Sequence, residues 1–520
     1  MYENGKGVNK DYNKAIELYQ KATNLGNVTA QYNLAILYEG GKGVNKDYNK
    51  AIELYQKAAD LGNINAQYNL AVIYKNGEGV DKDYKKAINW YDKAANLGDS
   101  TSQLNLAIMY ENGKGVDKDY KKAIYWYEKA ADSGNSISQY NLAIIYENGI
   151  GVNKDHSKAI ELYQKAANLG NSNAQNNLAI MYENGIGVDK NYKKAIELYQ
   201  EAADLGCISA QYNLALIYEN GKEGINRDYK KAIYWYEKAA HSGNSIAQYN
   251  LAILYKNGKG VSIDYKKAIH WYEKAADSGD NIAQYNLALM YKSGEGVDKD
   301  YIKAIYWYEK AANSGDIIAQ YNLAIMYEYG KGVDKDFKKA IYWYEKAANL
   351  GDNISQYNLA LMYENGKGTS KNYKKAIEWY EKAANSGNTG AQYNLAMMYE
   401  NGKGINKDYK KAISWYEKAA NLGSSVAQNK LAIIYENGKG VDKDYNKAVE
   451  LYQKAANLGN SKAQYKLAEI YENGKGVNKD INQAIYWYKK SANQGNQVAQ
   501  DKLKLPKIRN RGKKNPCIIN

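Results

Sequence analysis

The sequence predicts an all-α solenoid of helix–turn–helix units, and three observations predict it. A block beginning at Gln31, QYNLAILYEGGKGVNKDYNKAIELYQKAADLGNINA, recurs as far as Gln500 at a spacing of 36 residues, with one step of 37 between Gln211 and Gln248. A period of this length marks a stacked array, not one compact core. Each block holds two stretches of helical periodicity divided by glycine-rich punctuation. The chain has 55 Tyr, one Phe and two Pro, so Tyr carries the aromatic packing and helix breakers are scarce.

In the first helix of the Gln31 block, Ala30, Leu34, Ala35 and Tyr38 share one face. The run Gly40-Gly41-Lys42-Gly43 stops it, because glycine permits the positive φ of a tight reversal. Asn45 is the expected N-cap of the second helix, with Asp47 in its first turn, where the helix dipole favours negative charge. Tyr48, Ala51, Ile52, Tyr55, Ala58 and Ala59 then form a wide apolar stripe. Gly62 is the expected C′ residue, and Asn63 the cap of the next first helix.

The alanines suit helices that approach within about 8–10 Å. Tyr55 is expected to fill the hairpin. The position before it is Leu in some blocks and Trp at 90, 126, 235, 271, 307, 343, 379, 415 and 487. Burial at the junction between blocks is expected of these side chains.

The unit resembles a Sel1-like repeat, a relative of the tetratricopeptide repeat. The matching features are Ala-Gln…Leu-x3-Tyr in the first helix, the Gly-x-Gly-Val loop, Asp-Tyr-x-x-Ala, the Trp/Leu-Tyr pair and Ala-Ala-x-x-Gly. Two positions depart from the family pattern: Ala35, Ala71 and Ala107 stand where Gly is usual, and Asn or Asp replaces the Pro after Gly-x-Gly-Val. The resemblance implies a right-handed α/α superhelix whose first helices line a concave groove. It also implies a scaffold or adaptor role, loosely one in signalling or membrane-associated degradation.

The blocks divide the chain into a partial repeat at 1–27, thirteen repeats at 28–500 and a basic tail at 501–520. Met1 aligns with Leu37, so the first segment supplies a second helix without its first. This start suggests a fragment of a longer protein, for example the repeat region of a kinase-associated signalling protein, or an end that frays or pairs with another molecule. The one insertion falls in the loop Gly221-Lys222-Glu223-Gly224, where length change is tolerated. The tail carries Pro506 and Pro516 and is expected to be disordered.

The formal charge is +14, and the tail contributes seven Lys/Arg against one Asp. Elsewhere acids are interspersed with lysines, which predicts a solvated surface with no continuous basic stripe and no nucleic-acid partner. Cys207 and Cys517 form no recurrent framework, unlike the cross-linked repeats of secreted relatives, and favour a reducing, cytoplasmic setting. No signal peptide or membrane-spanning run is read. The chain ends Cys517-Ile518-Ile519-Asn520, the outline of a prenylation box behind Lys507, Arg509, Arg511, Lys513 and Lys514. Asn is not a typical final residue there. Membrane association is expected only if Cys517 carries a lipid.

Catalysis finds little support. The three histidines, His156, His241 and His270, show no metal-ligand spacing. Gly-Lys-Gly lacks the phosphate-loop spacing and recurs as a turn. Some relatives are linked to β-lactam binding or hydrolysis, but no Ser here is followed by Lys three residues later. A non-enzymatic protein without cofactor or metal is expected.

Recognition is better supported. One first-helix position is Asn in eleven successive repeats: Asn33, Asn69, Asn105, Asn141, Asn177, Asn213, Asn250, Asn286, Asn322, Asn358 and Asn394; it then becomes Lys430 and Lys466. An amide offers both donor and acceptor to an extended peptide backbone. Tyr32 and its equivalents, among them Tyr212, Tyr249 and Tyr285, would flank that ladder, with Asn213, Asn250 and Asn286 as neighbours. The alternative is that Asn bonds the adjoining repeat and was copied by duplication. The groove lacks the lysine array of carboxylate-clamping relatives, so acidic C-terminal tails are not expected in it.

Overall fold

The computed structural model describes residues 2–5, 7 and 9–505. Among them are 28 α-helices and no β-strand; the sole extended pairing is an isolated bridge between Lys222 and Ile225. The helices fall into two units, Met1–Ile263 and Asp264–Asn520. Within each unit the extensive contacts all run between helices consecutive in the chain, as expected of a solenoid.

Both helices of a repeat are 13 residues long, for example Ile64–Asn76 and Tyr84–Asn96. The one-sided second helix meets the more uniformly apolar first helix over a core of small and aromatic side chains. Tyr55, Tyr91, Tyr308 and Tyr344 are sealed from solvent, beside alanines such as Ala58 and Ala94. The Trp position packs as expected: Trp307 is 8 % exposed, and of the nine only Trp415 is partly exposed.

The second helix starts later than expected. Asp47 is its N-cap and accepts the Lys50 N–H at 3.0 Å, while Asn45 lies outside the helix. The reason is local: the Asp47 N–H donates to the Tyr38 carbonyl at 3.0 Å, which pins the loop closed and leaves Asp47 extended at the helix start. Gly62 and Asn63 behave as expected. Gly62 has φ +87°, the Asn63 N–H returns to the Ala58 carbonyl at 3.0 Å, and the Asn63 side chain caps the next first helix.

The second glycine of Gly-x-Gly has another task. It lies against the start of the preceding repeat's second helix, so a Cβ on Gly368 would meet Phe337 Cβ at 2.5 Å. The Gln that opens each block ties repeats together. Gln67 Nε2 donates to the Ala59 carbonyl at 3.0 Å, and the bond recurs through Gln464 and Ala456. That carbonyl, in the last turn of the previous helix, also accepts the Gly62 N–H at 3.0 Å, so the Gln side chain supplies its second donor.

The insertion at Glu223 is absorbed within its loop, where Lys222 and Ile225 exchange backbone hydrogen bonds, and the flanking helices keep their length. Helix Gln497–Lys504 crosses the expected tail boundary, so 501–504 are helical where disorder was expected. Residues 506–520, Cys517 among them, lie outside the described residues. No helix of the described residues is long and apolar enough to cross a membrane.

Candidate functional site

The Asn series sits on the first helices, half-buried in every repeat. Most of these side chains are already engaged. Asn69 Nδ2 donates to the Tyr55 hydroxyl at 3.1 Å, and that hydroxyl donates to Glu39 Oε2 at 2.5 Å. The same relay of Asn, Tyr and Glu links Asn33 to Tyr19 and Glu3, Asn141 to Tyr127 and Glu111, and Asn177 to Tyr163 and Glu147. It recurs from Asn250 through Tyr236 to Glu219, and from Asn394 through Tyr380 to Glu364. Three residues from two repeats are joined, and each phenol both accepts and donates.

The other positions show what the relay requires. Lys75 and Lys292 stand where other repeats have Glu. Each donates to the next Asn instead: Lys75 to Asn105 at 2.9 Å and Lys292 to Asn322 at 2.8 Å. Both amides then turn to a carbonyl of their own helix, Thr101 and Ile318. Burial pushes the ammonium pKa of Lys75 and Lys292 down. Asn286 also bonds its own helix, at Ile282, and Asn213 reaches Asn176, which replaces the usual Tyr. Lys430 and Lys502 convert the contact into ion pairs with Glu400 and Glu472.

The flanking tyrosines pack on the buried ones. Tyr32 and Tyr55 have ring centroids 5.9 Å apart, and Tyr212–Tyr236 and Tyr285–Tyr308 repeat the pair at 6.0 and 5.9 Å. Burial raises the phenol pKa of Tyr212 and Tyr285. Tyr249 is half-buried like its equivalents. Asn213 and Asn250 belong to the first unit and Asn286 to the second.

This face opens at a cleft. Between helices Ile317–Tyr329 and Asn353–Asn365 lies a cleft of about 310 Å³, lined by Tyr321, Ile325, Glu328, Tyr329, Asn358 and Lys367 among others. Tyr329 is the departure from the repeat, since most repeats have Asn there, and it is 58 % exposed. The cleft brings together a ladder amide, a flanking Tyr and a carboxylate. Glu328 accepts the Tyr344 hydroxyl at 2.9 Å and lies 3.6 Å from the Lys367 ammonium.

The Glu position is the feature that periodicity reading missed. A carboxylate in the last turn of a helix opposes the helix dipole, yet Glu39, Glu111, Glu147 and Glu183 keep it there. That unfavourable placement is a readable signal of a partner. The histidines are not gathered: His270 packs edge-on against Trp271, and His241 donates to the Glu237 carbonyl. Among the described residues no group of His, Cys, Asp and Glu is arranged to hold a metal ion.

Comparison with curated proteins finds no match. Solved structures do resemble the chain. One is c5321, a protective antigen present in uropathogenic Escherichia coli strains and displaying an SLR fold; it is 33% identical, with 88% of this chain and 97% of that one covered and a TM-score of 0.56. Another is a Sel1 repeat protein from Oxalobacter formigenes, 32% identical, with 63% and 92% covered and a TM-score of 0.54. The Sel1 repeat model matches fourteen times, first at 1–27, then at 28–63 and onward without a break to 461–496. With nearly every residue inside a matched repeat, the chain belongs to the Sel1 repeat family.

Proposed function

We propose that the protein is a non-enzymatic scaffold that holds an extended protein segment on its first-helix face. The fold is of a kind commonly used for protein interaction. The observation that carries the finer reading is the cleft beside Asn358, where the amide and the Tyr321 and Tyr329 rings face a space of about 310 Å³. In it the amide pairs with a peptide group, and the rings take a side chain between them. The ladder then divides by availability. Asn105 and Asn322 spend both amide ends inside the protein and serve structure. Asn69, Asn141, Asn250 and Asn394 spend their NH2 group on Tyr and offer the carbonyl to a partner's N–H.

The test is selection of binders from a displayed peptide library, followed by titration against variants. Asn358→Ala and Tyr329→Asn are each expected to weaken a selected peptide about tenfold, the value of roughly one hydrogen bond or ring contact, with the melting temperature unchanged. A fall in melting temperature with affinity intact would assign the ladder to structure alone.

A further inference from the structure

The loops joining first to second helices, together with the first turn of the helix that follows, carry most of the lysine, and stacking lays them side by side. Gly404 abuts Tyr373 and Gly440 abuts Tyr409, each at the start of the previous repeat's second helix. Charges that alternate along the sequence are thereby gathered on one edge of the second unit. Segment 366–375, GKGTSKNYKK, has four lysines and no acid; 402–411, GKGINKDYKK, has four lysines and one acid. Ser370 and Asn372 stand where the repeat at 330–339 has Asp334 and Asp336. The turns at the other ends of these helices, 385–388 and 421–424, carry no charged residue.

We propose that this edge, centred on 366–375 and 402–411, is a second docking surface and that its partner is an acidic protein segment. All eight lysines are exposed. Glu328 and Glu364 pair only Lys367 and Lys403, at 3.6 and 2.9 Å. Lys371, Lys374, Lys407 and Lys410 have no carboxylate within ion-pair distance among the described residues. None of the four is neutralised by an ion pair, and together they raise the potential along the edge.

The aromatic rings select the class of partner. Single-stranded nucleic acid needs open rings on which bases stack. Here the rings are covered by lysine: Lys375 sits 5.1 Å over Tyr363, Lys403 5.0 Å over Tyr373, Lys407 4.9 Å over Tyr409 and Lys411 5.4 Å over Tyr399. Lys375, Lys403, Lys407 and Lys411 are held over rings beside the unpaired Lys371, Lys374 and Lys410, and the resulting row of ammonium groups suits spaced carboxylates.

The experiment titrates labelled poly-L-glutamate peptide into the full chain, beside an oligothymidylate and phosphatidylserine vesicles. Changing Lys371, Lys374, Lys407 and Lys410 together to Gln is expected to weaken poly-glutamate about tenfold, the combined effect of four exposed ion pairs. Changing Lys85, Lys121, Lys193 and Lys230 of the first unit is expected to leave it within about twofold. Wild-type binding should weaken as salt is raised. Melting temperatures confirm that both variants fold. Retained poly-glutamate affinity in the first variant overturns the proposal, and so does tighter wild-type binding of the oligonucleotide or the vesicles.

Discussion

Tyr308 and Tyr344 occupy the same position in neighbouring repeats and differ in one partner. The Tyr344 hydroxyl donates to Glu328 at 2.9 Å. The Tyr308 hydroxyl is buried with no partner among the described residues, because Lys292 stands where a Glu would accept it. Tyr344→Phe is expected to cost about 1–3 kcal/mol, since it strips a donor from a carboxylate. Tyr308→Phe should be neutral or slightly stabilising, because it removes an unsatisfied group. Urea denaturation of both variants checks the contrast; equal costs would refute it. The capping correction gives a second pair: Asp47→Ala should cost about 1 kcal/mol and Asn45→Ala close to nothing. Sequence periodicity exposed the Asn series but not its partners, because Tyr55 and Glu39 lie on other helices and meet Asn69 only after the helices stack.

At the scale of the element, glycine and tryptophan set the stacking. Gly351 and Gly368 both have positive φ, +98° and +72°. An added Cβ at Gly351 meets nothing within 4 Å, whereas at Gly368 it meets the Phe337 Cβ and backbone under 3.0 Å. Gly351→Ala is expected to cost about 1–2 kcal/mol from backbone strain alone. Gly368→Ala adds overpacking of about 1–3 kcal/mol and should lower the melting temperature further. Trp307→Ala is expected to cost about 3–5 kcal/mol, with the damage confined to nearby repeats; hydrogen exchange resolved by segment would reveal any wider spread. Helix type, helix order and the buried Trp junctions were readable because the period forces every repeat to solve one packing problem, whereas the close approach of Gly368 to Phe337 shows only once the helices stack. The second helix's starting point was not readable, because Asn45 and Asp47 are both good caps and a backbone bond between Asp47 and Tyr38 decides between them.

For the whole molecule, the row of buried phenols predicts how it responds to alkali. Burial, helped by the neighbouring Glu, raises the pKa of Tyr199, Tyr344, Tyr380 and Tyr416 above the ordinary phenol value, and Tyr327 is pushed up to about 12. The unfolded chain gives up these protons first, near pH ~10. Their contribution is therefore intact below about pH 10 and is lost as pH rises toward the folded values. Helicity and phenolate absorbance should change together above that pH; phenolates forming in a chain that keeps its helices would contradict the argument. The fold class was readable at this scale from spacing alone. The division near Ile263 was not, since the repeats on either side keep the same pattern, nor was the sorting of lysines onto one edge, which arises only when the loops lie next to one another.

Because each described helix leans chiefly on its neighbours in the chain, a mechanical load drawn along the array is passed on from one neighbour to the next. Within each unit the weakest hairpin should give way first and the rest should follow singly, at similar forces, since the repeats are close copies. Such a molecule yields by measured increments of length instead of snapping, and can recoil by the same steps when the tension is released.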